Sequence, residues 1–207
     1  MSRRLRLFLA VLVLCAAGSV GIVFAVARDG RSAGAAAPAG FAGALRPPGL
    51  PLADFHLRDQ DGRTANPREY RGRPVIVTFL YTTCRDTCPL TAQQIAGAMD
   101  LLGHSVPALA VSVDPKGDTP ALAKKFLVKQ RIDGRMRFLL GRATELQPVW
   151  REFGVAPQRP EAEHSVAVVV LDAEGRQRFG FGSDDLTPDG LARDVRALER
   201  AAPAARG

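Results

Sequence analysis

Leu7 to Ala27 is an unbroken apolar run without a charged residue. It is long enough to cross a bilayer, which takes about 20 residues, whereas the apolar part of a secretory signal usually has about 7–15. Asp29 to Pro48 follows, rich in Gly, Ala and Pro, with neither periodicity nor bulk. That composition reads as a flexible tether. Patterned sequence then begins. Phe55 and Leu57 alternate with polar residues ahead of the turn Gln60-Asp61-Gly62-Arg63, which predicts a short hairpin. Pro74 to Tyr81 is β-rich and almost wholly apolar, the pattern of a strand buried on both faces. From about Cys88 to Leu102, Leu90, Ile95, Met99 and Leu102 recur at near-helical spacing.

The alternation continues to the end of the chain. Ala108 to Val113 predicts a second buried strand. Asp118-Thr119-Pro120 predicts a helix start, with Asp118 as the cap, and the helix runs to about Lys129. Met136–Leu140 is a weak strand and Thr144–Phe153 a short helix, with Trp150 and Phe153 directed to the core. Ser165–Leu171 is a strong strand, Asp172–Gly175 a turn, and Arg176–Phe181 its antiparallel return. Thr187 and Pro188 open the last helix, to Arg200. Strands alternating with helices imply an α/β domain built on a parallel sheet, and the closing hairpin adds an antiparallel edge. This order is that of a thioredoxin-like fold: a mixed central sheet flanked by helices, with an N-terminal hairpin and inserted elements.

The chain has 207 residues, so one domain with extras. The expected organisation is a basic segment 1–6, a membrane anchor 7–27, a linker 28–48, a thioredoxin-like domain 49–200 and a disordered tail 201–207. Arg3, Arg4 and Arg6 precede the apolar run, so the positive-inside rule puts the N-terminus in the cytoplasm and the body outside it. Ala25-Val26-Ala27 resembles a cleavage site, which leaves removal of the segment as an alternative. The net charge of +7 invites a nucleic-acid reading. Topology accounts for part of it, the remaining basic residues are scattered among acids, and no nucleic-acid motif occurs.

Cys15 lies in the apolar run, where it reads as a small apolar residue facing lipid. Cys84 and Cys88 are therefore the pair in the body, too close in sequence to staple a fold. They sit at the carboxyl end of the first buried strand, where an open α/β sheet places its ligands. Cys88 begins a helix, whose unpaired N–H groups and dipole favour a thiolate there. On spacing alone, a redox couple, a metal site and coincidence all stay open. Thiolates select Cu(I) and, less exclusively, zinc, and two of them leave room for a third ligand. His56 and His104 read as surface residues. His164 stands immediately before the strand Ser165–Leu171, in a loop that a thioredoxin topology lays beside the cysteines. Asp114 follows the second strand at the same edge, either orienting a ligand or closing a turn before Pro115.

Three motifs, TFLYTTCRDTCP at Thr78–Pro89, VSVDPKGDTP at Val111–Pro120 and EHSVAVVVLD at Glu163–Asp172, together resemble those of the Sco/SenC family of copper chaperones, over about Pro51 to Glu199. The resemblance implies Cys84, Cys88 and His164 as Cu(I) ligands and delivery of copper to the CuA centre of a cytochrome c oxidase subunit. It also implies a bacterial inner-membrane location with the domain in the periplasm, where a thiol reductant or another copper chaperone would be a further partner. The family's proline after the first cysteine is Arg85 here, and where the family often has an aspartate before the histidine this chain has Glu163. A thiol–disulfide oxidoreductase that reduces an apo-copper site is the alternative, with Cys84 and Cys88 as the redox pair. A peroxidase lacks its threonine three residues before the reactive cysteine, and a structural zinc site lacks a fourth ligand.

Overall fold

A computed structural model of the chain describes residues 41–157 and 167–202. The apolar run Leu7–Ala27, the basic segment before it, most of the tether, His164 with its loop, and the last five residues lie outside them. Among the described residues no helix is long and apolar enough to cross a membrane.

Eight strands form one mixed sheet: β1 (Ala44–Leu45), β2 (Leu57–Asp59), β3 (Thr64–Ala65), β4 (Val75–Leu80), β5 (Ala108–Ser112), β6 (Met136–Leu140), β7 (Val168–Leu171) and β8 (Gln177–Phe181). Their spatial order is β1-β8-β7-β4-β5-β6-β2-β3. The central trio β4, β5 and β6 is parallel, and β7 and β2 flank it antiparallel. Among the described residues four α-helices connect them: α1 (Thr87–Leu102), α2 (Pro120–Lys129), α3 (Ala143–Phe153) and α4 (Pro188–Ala201).

Every residue of β4 is buried because both faces of the sheet are covered. Ile76 and Leu80 point into a core with α1, α2 and α4. Val75, Val77 and Phe79 point to the other side, against α3 and the segment Ala53–Leu57. Period-two alternation thus survives in geometry although it is invisible in hydropathy. The strand Met136–Leu140 is weak in sequence because Arg137 interrupts it. In the fold that arginine donates to Asp59 at 2.8 Å and to the Tyr70 hydroxyl at 3.0 Å, which pins β6 to the N-terminal hairpin.

Two expectations change. Asp118 is not the cap of α2: Thr119 is, its hydroxyl accepting from Leu122 N–H, with Pro120 in the first turn. Phe41 to Arg46, assigned by composition to the tether, is part of the domain. The carboxylate of Asp194 on α4, fully buried, accepts the N–H groups of Ala42 and Gly43 at 2.8–3.1 Å. Phe41 stacks on Phe179 at 4.7 Å, and the Arg46 guanidinium donates to Gln177 and to the Phe153 carbonyl. Three long-range anchors outweigh the low bulk of Ala-Gly-Ala.

The topology sets up a site. Leu80 and Ser112, the last residues of β4 and β5, are paired in register, so the loops that follow both leave from one edge. Because β7 runs antiparallel to β4, with Val168 opposite Thr78, the chain enters β7 at that same edge.

Candidate functional site

The loop after β4 turns tightly. Cys84 N–H donates to the Tyr81 carbonyl at 3.3 Å, and α1 begins at Thr87. That curl brings the two sulfurs together. Cys84 is half-buried, Cys88 fully buried, and both are free thiols. Cys88 N–H, in the first turn of α1, donates to the Cys84 sulfur at 3.3 Å, and the Thr87 hydroxyl lies 3.6 Å from the same atom.

The electrostatics differ from the expectation that the helix terminus would activate Cys88. Burial raises the Cys84 thiol, but hydrogen bonds from the Cys88 thiol, the backbone N–H groups of Asp86 and Cys88, and Thr87 outweigh it, and the net direction is down. Cys88 goes the other way. Burial pushes it well above the ordinary thiol range, reinforced by the neighbouring Cys84. The orphan N–H groups of the first helical turn act on a sulfur one turn upstream, not on the residue that begins the helix. The pair is asymmetric: one accessible sulfur whose thiolate form is favoured relative to an ordinary thiol, and one buried partner whose thiolate form is disfavoured.

Tyr81, named in sequence only as a strand end, also belongs to the site. Burial and its hydrogen bond with Cys84, then the charges of both cysteines and of Asp114, push its hydroxyl up to about 12. It stays protonated and can donate to a Cys84 thiolate. Asp118 is the second residue that sequence reasoning undervalued. Its carboxylate accepts from Thr82 N–H at 2.7 Å, from the Thr82 hydroxyl at 2.6 Å and from the Ser112 hydroxyl at 2.6 Å. It therefore ties the cysteine loop to the end of β5. Burial raises this carboxyl, opposed by the same hydrogen bonds. The sequence signals for it were its place in the motif VSVDPKGDTP and its position close after a strand ending in serine at the ligand edge.

Asp114 accepts Gly117 N–H at 3.0 Å, and its backbone carbonyl accepts Asp118 N–H at 2.9 Å, so it closes the turn after β5. Its charge still reaches Tyr81. His56 and His104 are exposed and engaged elsewhere, with Asn66 and Glu199 respectively. Among the described residues no group of three His, Cys, Asp or Glu side chains converges on one point. His164, the third ligand expected from sequence, lies outside them. Two adjacent soft sulfurs form a donor set that suits a soft monovalent metal ion.

Comparison with known proteins bears on the family and the fold. The SCO1/SenC family model matches residues 46–199. A SCO2-like protein of Rickettsia felis is 28% identical over 143 residues, covering 63% of this chain and 69% of that one. The mitochondrial SCO2 homolog of Danio rerio is also 28% identical, over 63% of this chain but only 51% of its own length. Among solved structures, copper-bound ScoI of Bradyrhizobium japonicum superposes with a TM-score of 0.59 at 27% identity, covering 71% of this chain and 98% of that one. Copper-bound ScoI of Arabidopsis thaliana gives a TM-score of 0.64 at 24% identity, over 72% and 98%. With its thioredoxin-like fold and its paired cysteines at the sheet edge, the chain belongs to the SCO1/SenC family.

Proposed function

We propose that this protein is a membrane-anchored copper chaperone that holds Cu(I) between Cys84, Cys88 and His164 and passes it to the CuA site of a cytochrome c oxidase. The observation that carries the reading is the convergence of two reduced thiols, one accessible, at the carboxyl edge of the sheet. Copper-bound relatives of the same fold support the choice of metal. The support for His164 is one of reach. Ala167, whose carbonyl accepts from Thr78 on β4, stands at that edge, and three residues of chain span at most about 10 Å. Copper is cargo here, so transfer proceeds by ligand exchange: an incoming sulfur displaces Cys84 first, because Cys84 is the sulfur open to solvent. The apolar run Leu7–Ala27 would hold the domain on the periplasmic side of the inner membrane, with a thiol reductant or another copper chaperone as further partner.

The test is a Cu(I) competition titration of the reduced full-length chain. A Cys84→Ser, Cys88→Ser variant should lose tight binding and His164→Ala should lose much of it. Equal affinity of all three proteins would end the copper reading.

One observation favours a second activity, thiol–disulfide exchange. An accessible thiol lowered below the usual range, beside a buried thiol raised above it, is the division of labour between an attacking and a resolving cysteine. BsSco, a Sco-family protein of this fold, 22% identical over 75% of the chain with a TM-score of 0.63, has a disulfide switch. Reduction of an apo-copper disulfide should survive His164→Ala, which separates the two activities.

A further inference from the structure

A groove of about 480 Å³ opens alongside Cys84, between the cysteine loop and α2. Its floor includes Pro89 and Leu122, and Leu122 is 38% exposed. Its polar lining includes three cations: Arg85 from the loop, and Lys125 and Lys129 from α2. Lys125 and Lys129 are one turn apart on one helix face, and Leu122 lies on that face as well. Lys124, next to Lys125, pairs with Asp61 at 2.8 Å, which leaves the groove's cations as a separate set. Among the described residues no ion pair joins Arg85, Lys125 or Lys129 to an acid. Like charges at this helical spacing disfavour the helix slightly. The fold carries that cost beside its reactive sulfur.

We infer that this groove receives an acidic segment of the partner protein whose own sulfur meets Cys84. The inference rests on the proposed exchange at Cys84 and names the chemistry of the partner. Three cations lining one groove, with no acid paired to them among the described residues, call for carboxylates. An apolar floor and a volume in the range of ligand pockets, about 300–1,000 Å³, exceed what a lone inorganic anion fills. Cys84 is part of the lining, so an occupant that carries a sulfur of its own can meet that thiol. A short run of acidic residues next to a cysteine satisfies all three.

The test follows thiol exchange and needs no copper, so it stands or falls separately from the metal site. Full-length chain in a non-ionic detergent, carrying Cys15→Ser and Cys88→Ser, presents Cys84 as its thiol. The probes are peptides with one central cysteine capped as a thiopyridyl disulfide, flanked by glutamates, by glycine and serine, or by lysines. The Cys84 thiolate attacks the peptide sulfur, the old S–S bond breaks, thiopyridone leaves, and its absorbance gives the rate. The acidic probe should react at least about tenfold faster than the neutral one at low ionic strength, and the lysine probe more slowly. Lys125→Glu with Lys129→Glu should abolish the preference. Arg193→Glu with Arg200→Glu, an equal charge change on exposed positions of α4 outside the groove, should retain it. Equal rates for all probes overturn the inference. So does an equal loss in both reversals, because bulk charge then explains the preference. A cystine-sized anionic disulfide that matches the acidic peptide, and depends equally on Lys125 and Lys129, would assign the groove to a small anionic thiol and also overturn it.

Discussion

Asp118 and Glu152 show how one carboxyl can hold a loop while another strains against its surroundings. Asp118 takes three hydrogen bonds from Thr82 and Ser112. Replacing it with alanine leaves Thr82 N–H and two hydroxyls without their partner. The expected cost is about 3 kcal/mol, read as a lower urea midpoint with an unchanged slope, together with faster alkylation of a loosened Cys84 loop. Glu152 is the opposite case. Burial, and next the charge of Asp54, push its carboxyl up to about 7, and one of its oxygens has no hydrogen-bond partner among the described residues. A carboxyl raised on folding binds its proton more tightly in the folded chain than in the unfolded one. Its contribution favours the fold below the unfolded value and is lost as pH rises through about 7. Glu152→Gln should therefore stabilise the protein above that pH and change little in acid. Solvent reaches this side chain, so the gain is about 1 kcal/mol, measurable by urea unfolding at two pH values.

Short elements depend on neighbours far away in sequence. β1 is two residues long and could not persist alone. It is held by the buried Asp194 on α4 and by the stacking of Phe41 on Phe179. Asp194→Ala should cost about 2–4 kcal/mol by orphaning the Ala42 and Gly43 N–H groups. It should also free the Arg46 amide, which now donates to the Arg178 carbonyl at 3.0 Å. Hydrogen exchange should show protection lost at residues 42–46 first, while β4 and β5 keep theirs. If exchange there stays slow, the carboxylate is not the anchor. α3 offers a related case. Pro148 lies inside it, yet the helix persists because Leu146, Val149, Trp150 and Phe153 are buried against the sheet. Trp150 also donates to the Ser112 carbonyl at 2.9 Å, which fixes α3 next to the site edge.

Metal and fold are linked through the whole molecule. If Cu(I) binds the folded domain and not the unfolded chain, reduced protein should melt at a higher temperature with copper. The stabilisation amounts to about 2.7 kcal/mol at a free ligand concentration 100 times Kd. The Cys84→Ser, Cys88→Ser variant should melt alike with and without copper. Oxidation of the pair should remove the effect too, since a disulfide has no thiolate left to bind. A copper-induced shift that persists after oxidation would place the metal elsewhere.

The element order from the hairpin at Leu57 onward, the buried strands β4 and β5 and the position of Cys84 and Cys88 at a strand end were legible in sequence. Those features depend on periodicity and on residue types within a few positions of one another. Family resemblance added the copper reading, which spacing alone left open among several chemistries. What the sequence hid was decided by groups brought together from a distance. Ala42 meets a carboxylate 152 residues away, and Thr82 meets one 36 residues away. Which sulfur has its charged form favoured was decided the same way. Both cysteines lie by the same helix terminus, but burial disfavours the charged form of Cys88 while donated N–H groups favour that of Cys84. Desolvation and directional hydrogen bonds are properties of a packed neighbourhood, and only the tertiary structure supplies one.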